Sequence, residues 1–164
     1  IQGLPSDPIN YTNKVAPPLV AEAATLEFGR QAHIYNVRTR KYLGQAGTVQ
    51  TDITPGIAQL YALLPYRVQS VTMARAPRMQ AGAEEPLTVR INADAEVGTH
   101  VVHLSIIGPD GQARGYYSQN LLAVGGSVIT PIRFALDDQP GEWTIVATDV
   151  ASGVEGRTTV EVAR

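Results

Sequence analysis

The sequence IAQLYALLPYRVQSV, residues 57–71, is a long apolar run that a single proline interrupts. Pro65 has no N–H to donate to a sheet, and it biases Leu64 towards an extended conformation. One strand is therefore expected to end at Leu64 and another to begin at Tyr66, with little slack between them. The pattern predicts a semi-rigid joint between two β-rich parts, residues 1–65 and residues 66–164.

Upstream of this joint, short runs of β-branched, aromatic and aliphatic residues are bounded by turn residues. Four strands are predicted, and a basic turn over residues 38–41 closes a hairpin between the first two. The predicted strands are Ala32–Val37, Tyr42–Gly44, Thr48–Ile53 and Ala58–Leu64. Residues Val20–Phe28 fit a short helix and a strand equally well, and the prolines among Ile1–Ala24 favour an extended segment. Because four strands cannot cover two inner sheet faces, residues 1–65 are expected to form a smaller, incomplete β module.

Downstream of Pro65, about seven short strands at spacings of about ten residues are separated by glycine-rich or acidic turns. Alternating apolar residues give each strand one buried face. The sequence thus predicts an all-β chain whose second part, residues 66–164, is an immunoglobulin-like Greek-key sandwich. Trp143, the only tryptophan, is expected to fill its core. The other residues expected to share inward faces are Leu87, Val89, Ile91, Val102, Leu104, Ile106, Val128, Ile132, Phe134, Leu136, Ile145, Ala147, Val160 and Val162.

Composition excludes several classes of function. The net charge of -2 argues against a nucleic-acid-binding surface, which needs clustered Lys and Arg. No apolar run of about 18 residues is present, so insertion into a membrane is not expected. The absence of cysteine excludes disulfides, thiolate metal sites and a cysteine nucleophile.

The titratable residues do not form a catalytic or metal-binding pattern. His100 and His103 are three apart in a predicted strand and project from opposite faces, so they cannot share one metal ion. Asp137 and Asp138 are adjacent on a turn, whereas the two carboxylates of a glycosidase flank one bond from opposed walls. We therefore expect no catalytic residue, no metal site and no cofactor, and a role that is not enzymatic.

Two groups of residues are candidates for contact with a carbohydrate or a partner. Tyr116 and Tyr117 offer rings for sugar stacking, although consecutive strand residues face opposite sides, so only one of them is expected to stack. The basic turn offers Arg38, Arg40 and Lys41, which suit an acidic sugar or a partner's carboxylates. Four further tyrosines are expected to pack between the two parts of the chain, and they are Tyr35, Tyr42, Tyr61 and Tyr66.

Several motifs resemble known families. The sequences HIYNVR (33–38), KYLG (41–44), TPG (54–56) and LYALLP (60–65) together resemble the non-catalytic C-terminal β-sandwich region of bacterial glycoside-hydrolase-like proteins of the β-galactosidase-like kind. The sequences GPDG (108–111) and PGEWTI (140–145) are similar to immunoglobulin-like and macroglobulin-like modules of secreted bacterial proteins. The resemblance implies that catalytic carboxylates lie in an upstream barrel domain, and no residue here matches that barrel.

The expected function is therefore that of a non-catalytic accessory region that positions or stabilises an upstream catalytic domain of the same chain. The chain is expected to be a fragment of that protein, and its location is expected to be extracellular, periplasmic or on the cell surface. Two alternatives stay open. One is a carbohydrate-binding module that contacts polysaccharide through exposed tyrosines, and the other is a cell-surface adhesion or assembly module.

Overall fold

The computed structural model describes residues 20–164, so most of the predicted extended segment at Ile1–Ala24 lies outside the described residues. Within the described part there are eleven strands and one 3-10 helix, at Gly115–Tyr117. The strands are β1 (Glu22–Asn36), β2 (Lys41–Ile53), β3 (Tyr61–Leu64), β4 (Val68–Ala74), β5 (Arg78–Gln80), β6 (Glu84–Ala93), β7 (His100–Ile107), β8 (Gln119–Ala123), β9 (Ser127–Arg133), β10 (Gly141–Asp149) and β11 (Glu155–Ala163).

The first three strands form an antiparallel sheet in the order β2-β1-β3. The prediction of four strands is wrong here, because the predicted strands 42–44 and 48–53 belong to the single strand β2. The sequence pattern predicts a strand end at Gly44. In the structure, Gly44 has φ 106 and lies beside a register shift between Ile34 and Tyr35. Glycine adopts this conformation at no steric cost, so the strand continues through a bulge. The ambiguous stretch Val20–Phe28 resolves as the beginning of β1.

The remaining strands form a sandwich of two sheets. A five-stranded sheet has the order β5-β11-β10-β7-β8, and a three-stranded sheet has the order β4-β6-β9. All pairings are antiparallel except the one between β5 and β11. Sequence neighbours such as β6 and β7 lie in different sheets, as Greek-key connections require. The prediction of an all-β, immunoglobulin-like sandwich is confirmed.

The core lies between the two sheets and follows the predicted alternation. Trp143 is fully buried, and β6, β7 and β11 each bury alternate residues, whereas β10 buries every residue from Ile145 to Asp149. The parity prediction fails at Leu136, which is 77% exposed. Strand β9 ends at Arg133, so Leu136 lies in the following loop, where strand alternation no longer applies.

Pro65 lies between the last strand of the first sheet and the first strand of the sandwich, which begins two residues later than predicted. Strand β3 ends at Leu64 and β4 begins at Val68, and Pro65 itself is exposed. Tyr61 is half-buried within the first sheet, against the edge of Phe28, whereas Tyr66 is buried in the sandwich core. The division into units 1–65 and 66–164 stays a prediction.

Candidate functional site

Tyr116 and Tyr117 lie on the 3-10 helix at Gly115–Tyr117, not on a strand. The expectation that they face opposite sides is therefore wrong, and their ring centroids are 4.7 Å apart. Tyr116 is 70% exposed. Tyr117 is half-buried and meets Phe134 and Trp143 edge to face, with centroids 5.7 and 6.2 Å away. One ring faces solvent and the other supports it from the core.

The Tyr117 hydroxyl is fixed by two partners from the loop after β9. It donates to the Asp138 carboxylate, and the Ala135 N–H donates to both side chains at 2.8 Å. Burial, followed by the hydrogen bond to Asp138, raises the pKa of Tyr117 to about 12. Tyr117 therefore stays protonated over the physiological range and holds the 3-10 helix against residues 135–138.

An open groove of about 450 Å³ runs beside Tyr116. Its charged lining comes from Asp137, Asp138 and Arg114. Arg114 donates to Asp110 at 2.8 Å, and its guanidinium lies over the Trp143 ring at 5.8 Å. The hydrogen bond from Arg114 holds the pKa of Asp110 below its ordinary value. The groove thus combines an exposed ring, fixed charges and carboxylate acceptors.

The residues of the basic turn lie away from this groove, and their surroundings differ from one residue to the next. Arg40 forms an ion pair with Glu155 at 2.9 Å, Arg38 donates to the Ala58 carbonyl at 3.0 Å, and Lys41 is exposed at the start of β2. Glu155 pairs with Thr148 near the end of β10, whereas Tyr117 contacts the beginning of that strand. About five residues of strand, or roughly 17 Å, therefore separate the two groups. The five candidate residues do not form one site.

The basic turn belongs to the joint between the first sheet and the sandwich. Tyr35 in β1 is only 1% exposed, and its hydroxyl accepts the N–H of Val68 at 2.9 Å. Arg67 lies over the ring of Tyr42 at 4.8 Å. Tyr35 and Tyr42 thus pack at the joint as expected, with ring centroids 5.0 Å apart.

The turn between β10 and β11 is also shaped to meet the basic turn. Gly153 has φ 76, and a Cβ placed there would lie 2.5 Å from the Cβ of Arg40. A side chain at this position would therefore collide with the first sheet. The close approach explains why glycine occurs at this position.

Next to the joint is a buried network of hydrogen-bonded polar side chains, which the sequence patterns described above do not predict. The Nδ1 of His100 lies 2.8 Å from Asp149, and its Nε2 lies 2.8 Å from the Tyr66 hydroxyl. Asp149 also accepts from the N–H and hydroxyl of Ser152, at 3.0 and 2.5 Å. Burial opposes ionisation of Asp149, but the hydrogen bonds from His100 and Ser152 outweigh it and lower its pKa.

This hydrogen-bonded network does not have the arrangement of a nucleophilic triad. The Ser152 hydroxyl donates to Asp149 and not to the imidazole, and His100 and Asp149 are both buried. A nucleophile must contact its base and be open to substrate. His100 has the same strand parity as Val102 and Leu104, and this pattern alone could have indicated that it faces inward.

Two further features of residues 20–164 bear on function. No cluster of three or more His, Asp or Glu side chains in this part of the chain is arranged to hold a metal ion. The same residues include no helix with the length and apolarity that crossing a membrane requires.

No protein-family model and no curated protein matches this chain. Among solved structures, the chain is similar to a point mutant of Salmonella alpha-2-macroglobulin, with 14% sequence identity and a TM-score of 0.46. The match covers 89% of this chain and 11% of that protein. The immunoglobulin-like assignment accordingly rests on the strand order and burial described above, and the glycoside-hydrolase-like parentage stays a prediction.

Proposed function

We propose that this region is a non-catalytic accessory part of a larger, exported polysaccharide-acting protein of the glycoside-hydrolase-like kind. Its task is to hold a neighbouring catalytic domain of the same chain in a fixed orientation. The parentage is supported by the sequence motifs between residues 33 and 65. The mechanical role is supported by the contacts at the joint.

The observation that carries the mechanical role is the buried hydroxyl of Tyr35, which accepts the N–H of Val68. Tyr35 belongs to the first sheet and Val68 is the first residue of β4, so the bond crosses from one sheet system to the other. Burial of a large apolar side chain is worth about 1.5–3 kcal/mol. By contrast, the half-exposed pair Arg40–Glu155 is worth about 1 kcal/mol or less. Of these two contacts, the one made by Tyr35 therefore contributes more to keeping the two parts in one orientation.

Spin-label distance measurements test this rigidity directly, because the chain has no native cysteine to interfere. We expect labels at Thr48→Cys and Thr159→Cys, both exposed sites on the two sheet systems, to give one narrow distance distribution. Tyr35→Ala should broaden it. The exposed Tyr116→Ala, far from the joint, is the matched control and should leave it narrow. A broad distribution in the parent chain would show that Pro65 is a hinge.

The non-catalytic assignment has a separate test. The purified region is expected to release no product from aryl glycosides or from polymeric glycans. In the full-length protein, Tyr35→Ala should slow hydrolysis of polymeric substrate while hydrolysis of a small aryl glycoside is unchanged, because only access of the bulky polymer depends on the orientation of the catalytic domain. Hydrolysis by the purified region itself would refute the assignment.

A further inference from the structure

The groove beside Tyr116 has no part in the rigid role just described. From its geometry we propose that this groove binds a neutral polysaccharide, with one sugar ring stacked on Tyr116 and sugar hydroxyls bonded to Asp137 and Asp138. The site lies on the sandwich, about 17 Å along β10 from the joint. It would give the accessory region a substrate-contacting function of its own.

The first support is the way in which Tyr116 is presented. Its ring is 70% exposed, although burial of such a ring is worth about 1.5–3 kcal/mol. Behind it, Tyr117 is fixed by Asp138 and by the edges of Phe134 and Trp143. A sugar ring has one apolar C–H face, which an aromatic ring held in place can cover without much loss of side-chain entropy.

The second support is the set of polar groups around the ring. Asp137 and Asp138 line the same groove, and an ionised carboxylate has about four acceptor positions. Two donors, Tyr117 and Ala135, already bond to Oδ2 of Asp138, so the carboxylate is held in one orientation. It can accept further hydrogen bonds, and the hydroxyls at the edge of a stacked sugar supply the donors.

The third support is the charge of the groove, which selects among sugars. The charge of Arg114 is balanced by Asp110 at 2.8 Å, so Asp137 and Asp138 make the lining negative. Uronic acids and sulfated sugars would be repelled. The volume of about 450 Å³ lies within the range of small-ligand sites, and the groove is open to solvent, as a chain that continues beyond the site requires.

A cationic side chain of a protein partner is the competing occupant, because it too would meet a ring and two carboxylates. An exposed ion pair is worth only about 0–1 kcal/mol and is screened by salt. Stacking on Tyr116 depends on the apolar area covered and is not screened. The exposed ring is thus better explained by a flat, uncharged ligand.

The test is migration of the purified chain in native gels that contain neutral β-glucan, xylan or galactan, or acidic polygalacturonate. We expect at least one neutral polymer to retard the chain at both 50 mM and 500 mM salt, with no retardation by polygalacturonate. Tyr116→Ala should weaken binding about tenfold, whereas Tyr116→Phe, which keeps the ring, should bind within about twofold of the parent chain. Asp137→Asn should weaken binding, and Leu122→Ala, an exposed apolar truncation on β8, is the matched control.

Three results would overturn the proposal. They are no retardation by any neutral polymer, retardation that survives Tyr116→Ala, and, in a further gel that contains poly-lysine, retardation by that polymer alone that disappears at 500 mM salt. Trp143 fluorescence shows whether each variant is folded. The narrow spin-label distance at the joint is measured on the same Tyr116→Ala protein, so a failure here is distinguishable from a failure of the rigid accessory role.

Discussion

Asp149 is the residue whose removal should destabilise the sandwich most strongly among its polar groups. It is 0% exposed and accepts from His100 Nδ1, Ser152 N–H and the Ser152 hydroxyl. Asp149→Ala removes all three acceptor contacts. The Ser152 hydroxyl can rotate to another partner, but the ring N–H and the backbone N–H stay buried and unpaired.

The size of the effect follows from these two orphaned donors. Each buried, unsatisfied polar group costs about 1–3 kcal/mol. Asp149→Ala should therefore lower the free energy of unfolding by about 3–5 kcal/mol, in the range seen for broken buried pairs. With a urea m-value of about 2 kcal/mol/M, the unfolding midpoint should fall by about 2 M.

Urea unfolding followed by the fluorescence of the single buried Trp143 measures this change. Asp94→Ala is the matched control. Asp94 also accepts a backbone N–H, that of Arg67 at 2.8 Å, but it is exposed, so water can replace it and the loss should be about 1 kcal/mol or less.

The pH dependence of stability tests the same carboxylate. Because the pKa of Asp149 is lowered in the folded protein, its contribution is present above the ordinary carboxyl pKa of about 4. That contribution is lost as the pH falls through the depressed native pKa. Asp149→Asn does not titrate, so the fall in its unfolding free energy between pH 5 and lower pH should be shallower than in the parent chain.

Two outcomes would refute this reasoning. A loss of less than about 1 kcal/mol for Asp149→Ala would mean that water reaches the donors and that the site is not dry. Equal acid slopes for Asp149→Asn and the parent chain would mean that this carboxylate is not ionised with a lowered pKa.

Three further predictions concern the core and the joint. Trp143→Ala should cost about 3–5 kcal/mol in urea unfolding followed by circular dichroism, because it empties a fully buried site, and a loss below about 2 kcal/mol would contradict this. Arg40→Ala should change stability by about 1 kcal/mol or less, since its ion pair with Glu155 is half-exposed, and a larger loss would show that the pair is better shielded. Gly153→Ala should lower the thermal midpoint more than Gly111→Ala, because both glycines have φ 76 but only Gly153 lies close to Arg40. Equal shifts of the thermal midpoint would show that the basic turn can move to make space for the added methyl group.

Much of the sandwich could be predicted because it depends on alternation within single strands. Leu87, Val89 and Ile91 bury one face of β6, and the same rule places Trp143 and Ile145 in the core. The pattern predicts two separate strands at 42–44 and 48–53, and this prediction is wrong because one strand passes through a bulge at Gly44. A bulge depends on the register of the partner strand, which the alternation of residues in a single strand does not give.

The candidate groove was less predictable from sequence. The role of Tyr116 and Tyr117 in binding stays a prediction, and their arrangement depends on Asp138, 21 residues from Tyr117, and on the N–H of Ala135. A strand pattern carries no information about such a contact, so it predicts neither the 3-10 helix nor the packing of the two rings against each other. The sequence places the two adjacent aspartates on a turn, and only the structure shows that Asp138 accepts from the Tyr117 hydroxyl.

The two parts of the chain are held together by a buried contact at the joint and not by Pro65. Pro65 is exposed and limits only the local path of the chain, whereas the buried contact comes from Tyr35, whose partner Val68 is 33 residues away. Residues 22–31 of β1 and all of β2 include no buried residue, and a narrow sheet of this kind has little independent stability. The first sheet is therefore stable because it is docked on the sandwich. Since loosening the joint would remove that support, orientation and folding of the first sheet depend on the same few contacts.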